Sequence, residues 1–340
     1  MLERFFHGWE RRLASVTTDR VVRPFEWGLD WAGLPAAAAG TNGGAVDGEA
    51  LRAWAREATL ESERFYHVDP AGAFDFDGHH LRFASAVTTP HPENNTVHGR
   101  FFRARNDTRR RAVVVLPQWN ADPASHVALC TLFARAGLSS LRLSLPYHDW
   151  RMPPELNRAD YIVSSNVGRT VQACRQAVLD ARRAVQWLHR EGYERIGIIG
   201  TSLGSCLAML TTAHEPLIDA AAFNHVSPWF ADVVWDGIST AHVRQGLEGR
   251  ITLEMLRDIW LPISPFPFMD KVRGRKLLVV YARYDLSFPV ALSQRFAAEF
   301  RARGIDHELF VLPCGHYSIG KPPFSWMDAF ALTRFFRRTL

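Results

Sequence analysis

The chain has 340 residues, 47% hydrophobic and 22% charged, with a formal net charge of +5. That is enough apolar material for one large core with appendages, and too much for a disordered or fibrous chain. No run of eighteen uncharged apolar residues occurs, so no spanning helix is expected; the 40 basic residues, all but three of them arginine, lack the aromatic interleaving of a nucleic-acid surface.

Residues 1–75 read as a helical N-terminal extension. Leu2, Phe5, Phe6, Trp9 and Leu13 fall on one face at helical spacing and predict a first helix. The favoured use of that face is packing on the chain's own core; a basic amphipathic helix that lies on a membrane surface is the less favoured alternative. The opening MLERFFHGWERRLAS carries charges where a signal peptide is apolar, so a cytoplasmic location is expected. A loop is predicted over Gly40–Gly48 and a second helix over Glu49–Tyr66.

Residues 76–340 alternate between the two periods. Strands are predicted over His80–Val87 and Thr96–Ala104, separated by the turn-forming TTPHPENN, then over Arg111–Leu116 and Leu138–Leu145 with helix His126–Ala136 between them. A long helix over Arg169–Arg190 repeats apolar residues every three or four positions and ends before Gly192, where a C′ glycine belongs. Strands follow at Arg195–Ile199, Asp219–Asn224, Lys276–Ala282 and Glu308–Leu312, with helices at Val290–Arg303 and Ser325–Arg337. Strands alternating with helices imply a mainly parallel sheet covered on both faces, an α/β fold whose ligands bind outside the carboxyl ends of the strands. Two insertions leave from such ends, at about 147–168 and 225–275. The four cysteines, Cys130, Cys174, Cys206 and Cys314, are scattered without a C-x-x-C spacing and read as reduced, buried thiols.

The most informative segment is RIGIIGTSLGSCLAM, residues 195–209. A β-branched run ends at Gly200, Ser202 follows, and after Gly204 the sequence is helix-compatible. This is the strand–turn–helix setting of a G-x-S-x-G nucleophile elbow, with Ser202 at its tip beside a helix N-terminus. A serine hydroxyl is a poor nucleophile and needs a base, which in turn needs an orienting acid. In elbow hydrolases these follow in the order Ser, Asp or Glu, His. Asp285 ends KLLVVYARYD and His316 ends ELFVLPCGH, both after a strand. Asp232 is the rival acid but lies inside an insertion. His225 also follows a strand, but it precedes Asp285 and so is set aside as a pocket-wall residue.

GTSLG, YARYD and LPCGH together resemble the α/β-hydrolase superfamily, over about Arg111 to the C-terminus. LSLPYHDWRMP, SSNVGRTVQACRQAVLDARRAVQWL and FNHVSPWFADVVWDG resemble the branch related to α/β-hydrolase-domain-containing protein 18. The resemblance implies an α/β-hydrolase fold and a triad of Ser202, Asp285 and His316. It also implies an oxyanion hole from the Leu203 amide and an amide of the loop after the RAVVVL strand. Many relatives have His-Gly there; this chain has Pro117-Gln118, and Trp119, with Gln118 close behind, is the expected second donor.

The insertions carry Trp229, Phe230, Trp235, Trp260, Phe266 and Phe268 in one, and His148, Trp150 and Arg151 in the other. They are expected either to roof an apolar pocket or only to anchor the insertions to the core. Tyr147, His148, His225 and Trp229 are the candidate pocket residues. Arg151, Asp149 and His148 would meet a polar substrate group or form a surface salt bridge. No metal-ligand spacing or phosphate-binding glycine loop is present, so no metal or cofactor is expected. The expected function is serine hydrolysis of a small-molecule carboxylic ester through an acyl-enzyme. The alternatives are acyl transfer, amide or peptide cleavage, and lipid acyl hydrolysis with the same residues, or a non-catalytic binding protein on this scaffold.

Overall fold

The computed structural model describes residues 2–35, 43–69, 72–106 and 108–340. Its centre is a nine-stranded sheet of β1 (Phe74–Phe76), β2 (His80–Ala84), β3 (Thr96–Phe102), β4 (Arg111–Leu116), β5 (Ser139–Leu143), β6 (Arg195–Thr201), β7 (Ile218–Asn224), β8 (Lys276–Ala282) and β9 (Glu308–Leu312), in the spatial order β1-β2-β3-β5-β4-β6-β7-β8-β9. The first three strands run antiparallel; β5 to β9 and β4 are parallel to one another. The central strands are continuous apolar runs, RAVVVL in β4 and LLVVYA in β8, because helices cover them on both sides.

One face is covered by α5 (Val167–Arg190), α6 (Leu203–His214) and α10 (Val290–Ala302). The other is covered by α4 (Val127–Arg135) and α11 (Phe324–Thr339), with Phe6 of α1 (Leu2–Ser15) joining that core. Helix α5 starts two residues earlier than its apolar repeat predicts, because the Asn166 side chain accepts the Arg169 N–H at 2.9 Å and caps it. The chain leaves β4 towards β5 on one side, while β6 lies on the other. The carboxyl ends of β4 and β6 therefore flank a switch point.

Three elements differ from expectation. Gly40–Asn42 lie outside the described residues, but Gly43–Gly48 are not a loop: they open α2 (Gly43–Leu60). A Cβ on Gly48 would lie 2.7 Å from the Trp27 ring, so this glycine admits an indole against the helix rather than breaking it. A turn at Glu61 then separates α2 from the short α3 (Ser62–Phe65). Strand β1 is only three residues long, too short to show a period. Helix α1 packs on its own domain through Phe6, Glu10 and Ala14, and leaves Leu2 and Phe5 exposed. Phe6 stacks on Tyr284 with centroids 4.6 Å apart.

After α1 the chain runs as a strap. Arg20 donates to the Tyr317 hydroxyl at 3.2 Å, Asp19 pairs with Arg158 at 2.8 Å and Arg23 with Asp160 at 3.2 Å. Further on, Glu26 and Trp27 bond to the backbone at the start of α5. The 225–275 insertion folds as α7 (Phe230–Asp236), α8 (Ala241–Leu247) and α9 (Leu253–Ile259) with short 3₁₀ turns. Among the described residues no helix is long and apolar enough to cross a membrane. All four cysteines are buried and unpaired.

Candidate active site

The elbow is held by contacts on every side. Ser202 has φ 56° and ψ −121°, a conformation that costs on the order of 1–3 kcal/mol for a side-chain-bearing residue. Its N–H donates to Asn224 O of β7 at 2.8 Å and its carbonyl accepts the Ser205 N–H at 2.8 Å. Ser205 Oγ lies 2.6 Å from Ser202 O and 2.8 Å from His225 O. A Cβ on Gly200 would lie 1.8 Å from Gly204 O, and one on Gly204 would lie 2.3 Å from Leu116 O and 2.6 Å from Pro117 O. Strand, helix and the loop after β4 thus meet at glycine contacts, which brings Pro117 to the N-terminus of α6, where Leu203 begins the helix.

Ser202 Oγ lies 3.1 Å from His316 Nε2, and His316 Nδ1 lies 2.9 Å from Asp285 Oδ2. The other oxygen, Asp285 Oδ1, accepts the Ser287 and Phe288 N–H groups, each at 2.8 Å. Phe288 lies parallel to the imidazole at 5.6 Å. Burial alone would push the His316 proton off, but Asp285 and, behind it, Glu10 offset this, and the imidazole protonates above its ordinary 6.5. Asp285 is fully buried, which opposes its charge, yet His316 and His225 hold it well below the ordinary carboxylate range.

The expected pocket residues are placed differently. His225 is fully buried with φ 62°, and its Nδ1 lies 2.8 Å from the same Asp285 Oδ2 that meets His316. It shares that oxygen with His316, whose ring centroid lies 4.7 Å away, and is buried in the fold; burial holds its protonation down. Chain order set it aside, but order says nothing about which strand ends are neighbours. His148 is also fully buried: Nδ1 lies 2.9 Å from Pro146 O, and Nε2 accepts the Asn120 N–H at 2.9 Å. Both nitrogens are engaged with backbone, so the ring fixes the loop after β4 and has none free for a ligand. Burial pushes its protonation down to about 4, which keeps the accepting lone pair available. Tyr147 is buried against His91 and Tyr161, its hydroxyl 3.4 Å from His91 Nδ1. Trp229 stacks on Phe266 at 4.4 Å, and Arg303 lies over Phe266. Through Arg303, the C-cap of α10, this pair is tied to the rest of the fold. Likewise Arg151–Asp180 and Arg142–Asp149 are buried ion pairs inside the fold, neither substrate contacts nor surface bridges. The rival Asp232 is paired with Arg257.

Gln118 and Trp119 lie in the loop after β4, next to the elbow. The Trp119 indole donates to Ala159 O at 2.9 Å, His242 of α8 stacks on it at 5.6 Å, and Arg158 lies over it at 5.5 Å. Both insertions therefore reach this loop. Nothing in the sequence of α8 marks His242; burial and Arg158 push its protonation down to about 4. Among the described residues, His225, Asp285 and His316 are the group whose ligand atoms lie within 4.8 Å of one another, and the shared carboxylate oxygen accounts for that clustering.

No family model matches the chain, and no curated protein matches it. Solved structures do. The acylaminoacyl peptidase of Pyrococcus horikoshii superposes with a TM-score of 0.61 at 16% identity over 79% of this chain; this chain spans only 42% of the peptidase. Acetyl xylan esterase 1 from Thermoanaerobacterium sp. JW/SL YS485 gives 0.59 at 15% identity, with 86% of this chain and 93% of that one covered. An esterase of Pyrococcus furiosus gives 0.53 at 16% identity, with 80% and 98% covered. At such identities the likeness is one of architecture, and with the strand order and the elbow it establishes that this chain has the α/β-hydrolase fold.

Proposed function

We propose that the protein is a serine hydrolase that cleaves a carboxylic ester through an acyl-enzyme. The observation that carries this reading is the run of contacts Ser202 Oγ–His316 Nε2 at 3.1 Å and His316 Nδ1–Asp285 Oδ2 at 2.9 Å, set on a strained elbow. Ser202 Oγ attacks the ester carbonyl while His316 Nε2 takes its proton. The imidazolium so formed is stabilised by Asp285, whose contact with Nδ1 also fixes the tautomer. The tetrahedral oxyanion is held by the Leu203 amide and by Trp119 or Gln118; one such donor is worth about 10²–10³ in kcat. Collapse breaks the bond to the leaving oxygen, which departs as an alcohol with the proton from His316. Water, deprotonated by the same ring, then attacks the acyl-serine and releases the acid and Ser202. The motifs LSLPYHDWRMP and FNHVSPWFADVVWDG support a place beside the branch related to α/β-hydrolase-domain-containing protein 18.

A fluorophosphonate probe tests the reading. The full chain is expected to be labelled at Ser202 and to hydrolyse some members of a p-nitrophenyl ester series of graded chain length. An unlabelled, folded protein would overturn it in favour of a binding protein on this scaffold. Product analysis with added alcohols or amines separates hydrolysis from acyl transfer.

A further inference from the structure

Glu10 is 0% exposed, and among the described residues no lysine, arginine or histidine forms an ion pair with it. A buried carboxylate without a counter-ion is costly unless hydrogen bonds replace its hydration. Those bonds are present, and they lead to one place. Glu10 Oε2 accepts the Tyr317 N–H at 2.8 Å and Oε1 accepts the Ser318 N–H at 2.9 Å. On the other side of His316, Gly315 makes room for it: a Cβ there would lie 2.3 Å from Glu10 Cδ. The Gly315 N–H in turn donates to Ser318 Oγ at 2.8 Å. Residues 315, 317 and 318 are thus all fixed by or against one side chain, and the residue they enclose is His316.

We infer that Glu10, carried on the N-terminal helix α1, is a positioning residue for His316, bracing the loop that aims the imidazole at Ser202. This rests on the serine-hydrolase reading for the role of His316. The clamp also has a sign. The charges that face the His316 ring are Asp285 from the loop after β8, Glu10 from α1, and His225 from the loop after β7 when it is protonated; Arg20 of the strap donates to the Ala14 carbonyl and the neighbouring Tyr317 hydroxyl. Glu10 therefore adds a second negative charge beside the imidazolium that forms as Ser202 attacks. Helix α1 becomes part of the active site without touching substrate.

The test compares wild type with Glu10→Ala, the isosteric Glu10→Gln, the charge-keeping Glu10→Asp, and Glu3→Gln, a control at an exposed acid on the same helix. Glu10→Ala is expected to lower kcat/KM on the order of 10²-fold, the scale of a misplaced catalytic group. Glu10→Gln, which keeps shape but loses charge, should move the acid limb of kcat/KM to lower pH. Glu10→Asp and Glu3→Gln should leave that limb in place. The His316 ring titration followed by NMR reads the same ordering without turnover, so it stands even if wild type is unlabelled by the fluorophosphonate, the result that would sink the hydrolase reading instead. If Glu10→Ala fails to fold, Glu10→Gln carries the test. Folded Glu10→Gln with wild-type kcat/KM, pH limb and ring titration would overturn the inference.

Discussion

Ser202 and His316 are 3.1 Å apart, yet the two regions that hold them are built differently. The serine sits where three neighbouring pieces of the sheet core converge: β6 and α6 close on Gly200 and Gly204, and β7 supplies Asn224 O. The histidine sits on a loop beyond the edge strand β9. Asp285, which meets its Nδ1, comes from the loop after β8, and its flanking amides are held by a helix from the far end of the sequence. Ser202 is held by its own strand and helix; His316 is held by remote parts of the chain. The first arrangement is written in consecutive residues; of the second, the strand ends before Asp285 and His316 leave a local trace, and the Glu10 contacts leave none.

The largest effects should come from the serine end. Ser202→Ala is expected to remove about 10⁴–10⁶ in kcat while circular dichroism and the thermal midpoint stay near wild type; retained turnover would break the reading of that region as the source of the nucleophile. Asp285→Asn should lower kcat about 10⁴-fold, because the amide can leave His316 in the wrong tautomer. A loss of less than tenfold would show that the orienting role does not rest on Asp285. His148→Ala frees the Asn120 amide and loosens the loop that carries Gln118 and Trp119. A fall of about 10²–10³ in kcat with little change in KM is expected, the signature of a displaced oxyanion donor. An unchanged kcat would show that the loop holds itself. The mildest prediction is the pH profile. Asp285 and Glu10 raise the protonation of His316 above its ordinary 6.5, so the neutral imidazole becomes the majority form only above that value. Accordingly kcat/KM should rise with pH with a midpoint above 6.5, and a midpoint below it would mean that burial outweighs the two carboxylates.

What was legible follows the same divide. The α/β layering and the elbow were readable because apolar periodicity and glycine placement are properties of consecutive residues, as in RAVVVL or GTSLG. Asp285 and His316 were readable because each closes an apolar strand. What could not be read depends on who meets whom in space. Helical spacing puts Leu2 and Phe5 on the packing face, yet they are exposed, because the buried stripe on α1 runs Phe6, Glu10, Ala14 with a carboxylate at its centre, and a charged residue counts as solvent-facing in any periodicity argument. His148 is a candidate pocket residue by its place after a strand end, yet backbone groups of its own turn and of the β4 loop occupy it. Gly48 suggested a loop only because its reason for being there, the Trp27 ring, lies twenty-one residues earlier in the chain.

The clamp at Glu10 has a consequence for biosynthesis. Its amide partners are separated from it by 307 and 308 residues, so at a ribosomal rate of 5–20 residues per second α1 emerges roughly 15–60 s before the segment it braces exists. Throughout that interval the carboxylate must remain hydrated, and α1 must dock late. Docking of α1 therefore follows synthesis of the segment after β9, and the loop around His316 is braced only once that segment has emerged.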